Sequence, residues 1–144
     1  MQALNIKKIT AAALIATCAG LLGTSVHAAG AYTSNATGAT IVNKGTWYRT
    51  NFPIVGPSPA STSRIANVSW SYSIGTIRPG LTFEARLCHG TTLSCIDVSN
   101  VKNGSSSAFV NRTATTTLFL EYRVTGSTAF IPLNGNPAQV TVTW

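Results

Sequence analysis

Charged residues are scarce in this sequence. Only 9% of its 144 residues are Asp, Glu, Lys or Arg, against about 25% in an ordinary soluble domain. Carboxylates are the rarest of these, because Glu84, Asp97 and Glu121 stand against ten Lys and Arg residues. Apolar residues nevertheless make up 44% of the chain, which is enough for one hydrophobic core. These proportions exclude a wholly disordered chain and a solvated charged helix.

Groups for acid–base catalysis are equally scarce. The histidines are His27 and His89, and no serine lies in a Gly-x-Ser-x-Gly turn of the kind that hydrolases use. Glycosidases need two carboxylates at a set separation, but Glu84 and Glu121 each have an arginine two residues away, which favours cross-strand ion pairs. No glycine-rich phosphate loop occurs. We therefore expect a protein that is not an enzyme and holds no cofactor.

The first 28 residues have the pattern of an export signal. Lys7 and Lys8 precede an uncharged apolar run of 14 residues, Ile9–Leu22, and such a run is shorter than the about 20 residues that cross a bilayer. Small residues then end the segment at Val26 and Ala28, as a signal peptidase requires. We expect cleavage after Ala28 and a periplasmic chain of residues 29–144 that forms one domain with no membrane span.

Two of the three cysteines lie in this mature chain, at Cys88 and Cys95. An even number of cysteines in an oxidising compartment indicates a disulfide, and this pair would join the end of one strand to the start of the next. A redox-active pair normally has the closer Cys-x-x-Cys spacing. Zinc is disfavoured because only His89 is near enough to add a third ligand. The sequence thus predicts a structural disulfide and no metal site.

Alternation with a period of two residues predicts β-strands throughout the mature chain. The clearest example is Val68–Ile74, where large apolar side chains alternate with serine. The other clear segments are Leu81–Leu87, Thr117–Val124 and Val140–Trp144, with a turn at residues 77–80 and another at residues 134–137 before the last strand. Each places one face on a core and one face in water.

Weaker patterns complete the prediction. Short strands are expected at Thr40–Asn43, Cys95–Val98 and Ala108–Asn111. Three prolines make Thr50–Ser63 an irregular connection, and the small polar segment Ala29–Gly38 is expected to be mobile. About seven short strands separated by turn residues indicate an all-β fold, an antiparallel β-sandwich of Greek-key type, with a small barrel as the alternative.

Binding is the remaining class of function. Trp47, Tyr48 and Arg49 lie together in a poorly patterned region, and exposed aromatic residues of a β-sandwich stack on sugar rings or anchor a protein partner. The alternative is that Trp47 closes the edge of the core. The cations are scattered and form no run, which disfavours a nucleic-acid partner; they include Lys44, Arg49, Arg64, Arg78, Lys102 and Arg112.

Four motifs resemble the flagellar protein FlhE family of enteric and related bacteria. They are Trp70-Ser-Tyr72, Arg78-Pro-Gly-Leu81, Arg86-Leu-Cys88 with Cys95-Ile, and Gln139-Val-Thr-Val142. The chain departs from the family's ending, since Ala138 precedes Gln139 and Thr143-Trp144 closes the sequence. The resemblance covers roughly the C-terminal two thirds of the mature chain.

This resemblance implies a periplasmic accessory of the flagellar type III export apparatus that limits proton leakage, in a chaperone-like or plugging role. Its partners would be export, rod or basal-body proteins, whether or not the chain also self-associates. Edge strands and the terminal strand would be available for pairing with a partner strand. The alternatives are a carbohydrate-binding module that uses Trp47 and Tyr48, and a fimbrial subunit.

Overall fold

The computed structural model describes residues 29–144, so the predicted signal peptide lies outside the described residues. Two four-stranded antiparallel sheets pack face to face as a sandwich. These described residues form eight strands: β1 Ala31–Thr37, β2 Tyr48–Phe52, β3 Asn67–Ile74, β4 Leu81–His89, β5 Cys95–Asp97, β6 Asn103–Ser106, β7 Leu118–Gly126 and β8 Gly135–Thr143. The predicted all-β sandwich is confirmed, with eight strands where about seven were expected.

The strand order explains why most connections are long. The first sheet runs β1-β8-β3-β6 and the second runs β2-β7-β4-β5. Every connection therefore crosses from one sheet to the other except the β4–β5 hairpin. Because crossing connections span the thickness of the core, they wrap around its sides and ends, whereas the hairpin needs only a tight turn.

The core lies between the sheets and is built from the alternating residues that the sequence indicated. On β3 the inward side chains are Val68, Trp70, Tyr72 and Ile74, and all are buried. The inward residues of β7, from Leu118 to Val124, pack against them. Fully burying one such side chain stabilises the fold by about 1.5–3 kcal/mol, so these strands supply the main apolar driving force.

Two of the weaker predicted strands are wrong. Thr40–Asn43 contributes only one bridge, between Ile41 and Leu133. Ala108–Asn111 is a turn in which Asn111 has a φ of 65°. Phe109 of this turn is buried in the core, whereas Val110 is exposed. The strand near this position is β6 instead. The third weak prediction, Cys95–Val98, is confirmed as β5 with a slightly shorter span.

The segment Ala29–Gly38, expected to be mobile, contains β1, which pairs with β8 over seven residues. The predicted turn at residues 134–137 is also wrong, because β8 already begins at Gly135. Glycine is needed there, since the Gly38 carbonyl oxygen occupies the space that a Cβ would fill. Thr50–Ser63 begins inside β2 and is irregular only after Phe52.

Candidate functional site

All three carboxylates of the chain lie on the outer face of the second sheet. On β7 the inward positions are taken by core residues, so Glu121 and Arg123 point outward. The register then places Arg86 of β4 opposite Glu121 and Glu84 opposite Arg123, and Asp97 of β5 lies opposite Arg86. This surface, together with Trp47 and Arg49, is called the charged face below.

Glu121 is the centre of the charged face because two arginines from opposite sides hold its carboxylate. Arg49 of β2 donates from Nη2 to Oε1 at 2.8 Å, and Arg86 of β4 donates from Nη2 to Oε2 at 2.7 Å. The Glu121 side chain is only 7% exposed. A carboxylate this covered stays ionised only when it is well paired, and both of its oxygens are paired here.

Glu84 and Arg123 form a second pair on the charged face. Arg123 Nε lies 2.7 Å from Glu84 Oε2, and Nη2 lies 3.0 Å from Oε1. This two-bond geometry fixes the plane of the guanidinium as well as its position. The sequence prediction that Glu84 and Glu121 form cross-strand ion pairs is confirmed.

These contacts lower the pKa of each carboxyl group. Burial opposes the charge on Glu121, but the hydrogen bonds from Arg49 and Arg86 outweigh it and leave its pKa below the ordinary value. The hydrogen bond from Arg123 lowers the pKa of Glu84, and the hydroxyl and N–H of Ser99 lower the pKa of Asp97. All three groups are therefore ionised at neutral pH, whereas a general acid needs a raised pKa.

Trp47 covers the two ion pairs from one side. Its ring centroid lies 4.3 Å from Arg86 Cζ and 4.5 Å from Arg123 Cζ, so both guanidiniums contact the indole. Such a cation–π contact contributes about 0.5–1 kcal/mol where it is partly exposed. Trp47 is half-buried, so it keeps open surface while its orientation is fixed by the two cations.

A surface cavity of about 270 Å³ opens beside Trp47. The side chains of Glu84, Arg86 and Asp97 line it, and Ile96 and Cys95 add apolar surface from β5. Charged and apolar atoms thus meet at one concave site. The lining suits a partner that carries both a flat or apolar group and hydrogen-bonding groups.

The predicted segment from Trp47 to Arg49 enters β2 at Tyr48 and is divided between the two faces of the second sheet. Trp47 and Arg49 lie on the charged face, and the Arg49 guanidinium also lies 3.8 Å from the ring centroid of Phe119. Tyr48 points the other way, packs against the core, and accepts the Asn43 N–H at 3.0 Å through its hydroxyl. Tyr48 therefore anchors the strand that presents its two neighbours.

Sequence reasoning missed the contact between Arg49 and Glu121. It depends on β2 lying beside β7, and the irregular connection that the sequence predicts at Thr50–Ser63 overlaps β2. The available signal was the alternation of Tyr48, Thr50 and Phe52, which turns Arg49 toward the opposite face. Thr50 breaks the apolar pattern, and the strand is correspondingly hard to detect.

The predicted disulfide between Cys88 and Cys95 is confirmed. The two residues are direct neighbours in the β4–β5 register, with their Cα atoms 4.0 Å apart. Next to them His89 is largely buried, with Nε2 3.0 Å from the Thr113 carbonyl oxygen and its ring stacked on Phe109. Within residues 29–144, no group of three or more metal-ligating side chains comes together, and no helix has the length and apolar character to span a membrane.

Comparison with known proteins identifies a protein family and a solved structure of similar fold. The family model described as "Flagellar protein FlhE" matches residues 38–144. A solved structure described as "Crystal Structure of FLHE" is similar in fold, with a TM-score of 0.66 and 22% sequence identity. The alignment covers 81% of this chain and 96% of the other. No curated protein matches the sequence.

Proposed function

This chain belongs to the FlhE family of flagellar proteins, and from that membership we propose that it acts in the periplasm as a non-catalytic accessory of the flagellar export and basal-body apparatus. In this role it limits proton leakage during assembly by binding, as a plug or a chaperone-like factor. The charged face around Trp47 is the contact surface. The observation that carries this proposal is that Trp47 lies across both ion pairs and remains partly exposed.

The state of the ionisable groups supports a non-catalytic role. Glu84 and Glu121 are committed to arginines, and Asp97 accepts two hydrogen bonds from Ser99. His89 is buried against Phe109. Acid–base catalysis needs a group that can gain or lose a proton beside a substrate, and each of these four groups has a structural partner instead.

The periplasmic location is supported by two features. The disulfide between Cys88 and Cys95 is of a kind that persists in oxidising compartments. The export-signal pattern of residues 1–28 ends three residues before β1 begins at Ala31. Cleavage after Ala28 therefore leaves every described strand in the mature protein.

The charged face is suited to binding because its charges are already paired and positioned. A partner that covers it need not separate Arg86 from Glu121 or Arg123 from Glu84, so fewer side chains must be ordered on association. Trp47 supplies the large aromatic surface that commonly dominates protein interfaces, inside a rim of polar groups. The fixed arginines then give orientation.

The strand arrangement favours the accessory role over the fimbrial alternative. β1 pairs along β8 within the same chain. The chain's own strand therefore fills the position beside β8 that a strand from a neighbouring fimbrial subunit would take. β8 lies between β1 and β3, which corrects the expectation that the terminal strand is free for pairing. Only edge strands such as β1 and β6 remain available for β-augmentation.

The proposal is tested by expressing the Trp47→Ala variant in a strain from which the gene for this protein has been deleted. Loss of flagellar complementation by a variant that is exported and folded supports a contact role. A matched control is Leu93→Ala, since Leu93 is 96% exposed in the hairpin turn outside the charged face. This control removes exposed apolar surface without touching the ion pairs, so complementation should be retained.

A further inference from the structure

A second, smaller cavity lies at the end of the sandwich where β3 leads into β4. It measures about 190 Å³ and shares no lining residue with the cavity beside Trp47. Two connections form it, residues 75–80 and residues 127–134. The apolar lining consists of Ile77, Leu81, Phe130, Ile131 and Leu133, with Thr76 and Arg78 completing the wall.

Several hydrogen bonds hold these two connections in place. Lys44 Nζ donates to the carbonyl oxygens of Gly126 and Thr128 at 2.9 and 3.0 Å. The Thr128 hydroxyl donates to the Pro79 carbonyl oxygen at 3.1 Å, which ties one connection to the other. Leu133 exchanges two backbone hydrogen bonds with Ile41. The cavity is therefore part of the folded framework.

The cavity leaves apolar surface uncovered. Ile131 is 52% exposed, and Ile77, Phe130 and Leu133 are only partly buried. Drug-sized ligands occupy sites of roughly 300–1,000 Å³, which is larger than this cavity. Its size suits a single apolar side chain.

The charge at the mouth of the cavity is positive and uncompensated. Arg78 lines the cavity and is exposed, and among residues 29–144 it forms no ion pair. All three carboxylates of the chain lie on the charged face instead. A ligand that brings a carboxylate beside an apolar group would complement both features.

Arg78 is the one charged side chain among the described residues of the cavity lining, and its guanidinium is the group that would recognise a carboxylate. Capture of a C-terminal carboxylate uses unpaired backbone N–H groups that converge on it. Here the N–H of Leu81 donates to the Arg78 carbonyl oxygen and the N–H of Leu133 donates to Ile41. These two N–H groups are committed, and the Arg78 guanidinium can pair directly with the side-chain carboxylate of an Asp or Glu.

We propose that this cavity binds an acidic segment of a partner protein, with one apolar side chain inserted among Ile77, Phe130 and Ile131 and a neighbouring Asp or Glu paired with Arg78. This is a second contact site, separate from the charged face. This site recognises two neighbouring side chains of the partner, one apolar and one acidic, whereas the charged face offers a broad contact surface.

Capped dipeptides test the proposal by titration into isotope-labelled protein purified from the periplasm, followed by amide NMR. The probe is N-acetyl-leucyl-aspartyl amide. It should shift the amide signals of Ile77, Leu81 and Ile131. The asparagine analogue and the alanyl-aspartyl analogue should each bind about fivefold more weakly, since each lacks one of the two contacts.

Two variants with matched controls assign the contacts. Arg78→Gln should remove the preference for aspartyl over asparaginyl peptide, and Ile131→Ser should weaken every leucyl peptide. The controls are Arg112→Gln, which matches Arg78→Gln, and Leu93→Ser, which likewise replaces a large apolar side chain with serine. Both positions are exposed and lie outside the cavity lining, so both variants should leave the titration unchanged. An unaltered amide spectrum in the absence of peptide confirms that each variant is folded.

Three results would overturn the proposal. One is equal affinity for aspartyl and asparaginyl peptides, and another is a shift pattern that maps away from the cavity or is absent at saturating peptide. The third is tighter binding of N-acetyl-asparaginyl-leucine with a free C-terminus, which would make the site a C-terminal carboxylate receptor. Each of these results concerns peptide binding at the cavity alone, so the outcome is independent of the proposed flagellar role and of the contact through Trp47.

Discussion

Arg86 on β4 holds the Glu121 carboxylate on β7 through two bonds, from Nη2 at 2.7 Å and from Nε at 2.8 Å, both to Oε2. The other oxygen of this carboxylate accepts from Arg49. Three of the four strands of the second sheet are thereby joined through one side chain. These bonds make Glu121 a structural residue of the charged face, so we expect its replacement to lower stability.

Replacing Glu121 with Gln should lower the free energy of unfolding by about 2 kcal/mol, because Arg49 and Arg86 lose their shared counter-charge at a covered position. Glu84→Gln should cost less than about 1 kcal/mol, since its side chain is 34% exposed. Urea denaturation of both variants measures the difference. An equal effect of the two substitutions would show that burial of Glu121 does not strengthen its pairing.

Stability should also depend on pH in the acidic range. The folded-state pKa values of Glu84, Asp97 and Glu121 are lowered, so each unfolded carboxyl binds protons more readily than the folded one. Their contribution is present above the ordinary value of 4.5 for Glu and is lost as pH falls through the folded pKa values. Thermal denaturation should show this loss below about pH 4.5. The double variant Glu84→Gln/Glu121→Gln should show a shallower slope; the same slope as wild type would assign the effect elsewhere.

The disulfide should stabilise the fold without forming the contact surface. Cys88→Ser should lower the free energy of unfolding by about 2–3 kcal/mol, because the unfolded chain gains the freedom of the opened loop. Partner binding should persist at temperatures where the variant is folded. A thiol titration of the native periplasmic protein checks the premise, and two free thiols would contradict it.

The exported protein should begin at Ala29, as the small residues Val26 and Ala28 indicate. β1 starts at Ala31, and Gly30 exchanges backbone hydrogen bonds with Trp144, so this cut leaves the first strand pairing intact. Intact-mass spectrometry of periplasmic material gives the answer. A mass that includes residues 1–28 would overturn the export prediction.

The strands found most clearly from sequence are those whose inward positions are apolar throughout the predicted span. β3, with Val68, Trp70, Tyr72 and Ile74 inward, is the clearest case. β1 was missed because its inward residues include Ser34, which is fully buried although it is polar. β2 was missed in part for a related reason, since Thr50 is buried between Tyr48 and Phe52. Local patterns report burial only where the buried side chain is apolar.

The charged face was predictable only in part. Two predicted strands each carry an acidic and a basic residue two positions apart, Glu84-x-Arg86 in one and Glu121-x-Arg123 in the other. When two such strands are neighbours, this spacing indicates cross-strand ion pairs. The contacts of Trp47 and Arg49 depend on which strand borders β7, and that neighbour is distant in sequence. The small cavity near Arg78 depends likewise on two connections meeting, which no local pattern encodes.

Complementation of a deletion strain by Trp47→Ala tests the central claim most directly, with proton leakage and flagellar assembly as the readouts. We predict that Trp47→Ala is exported and folded at wild-type levels but fails to restore the phenotype, whereas the control Leu93→Ala complements. Loss of folding together with function would make Trp47 a structural residue and remove the charged face as the contact site. Full complementation by folded Trp47→Ala would contradict an account based on binding through Trp47.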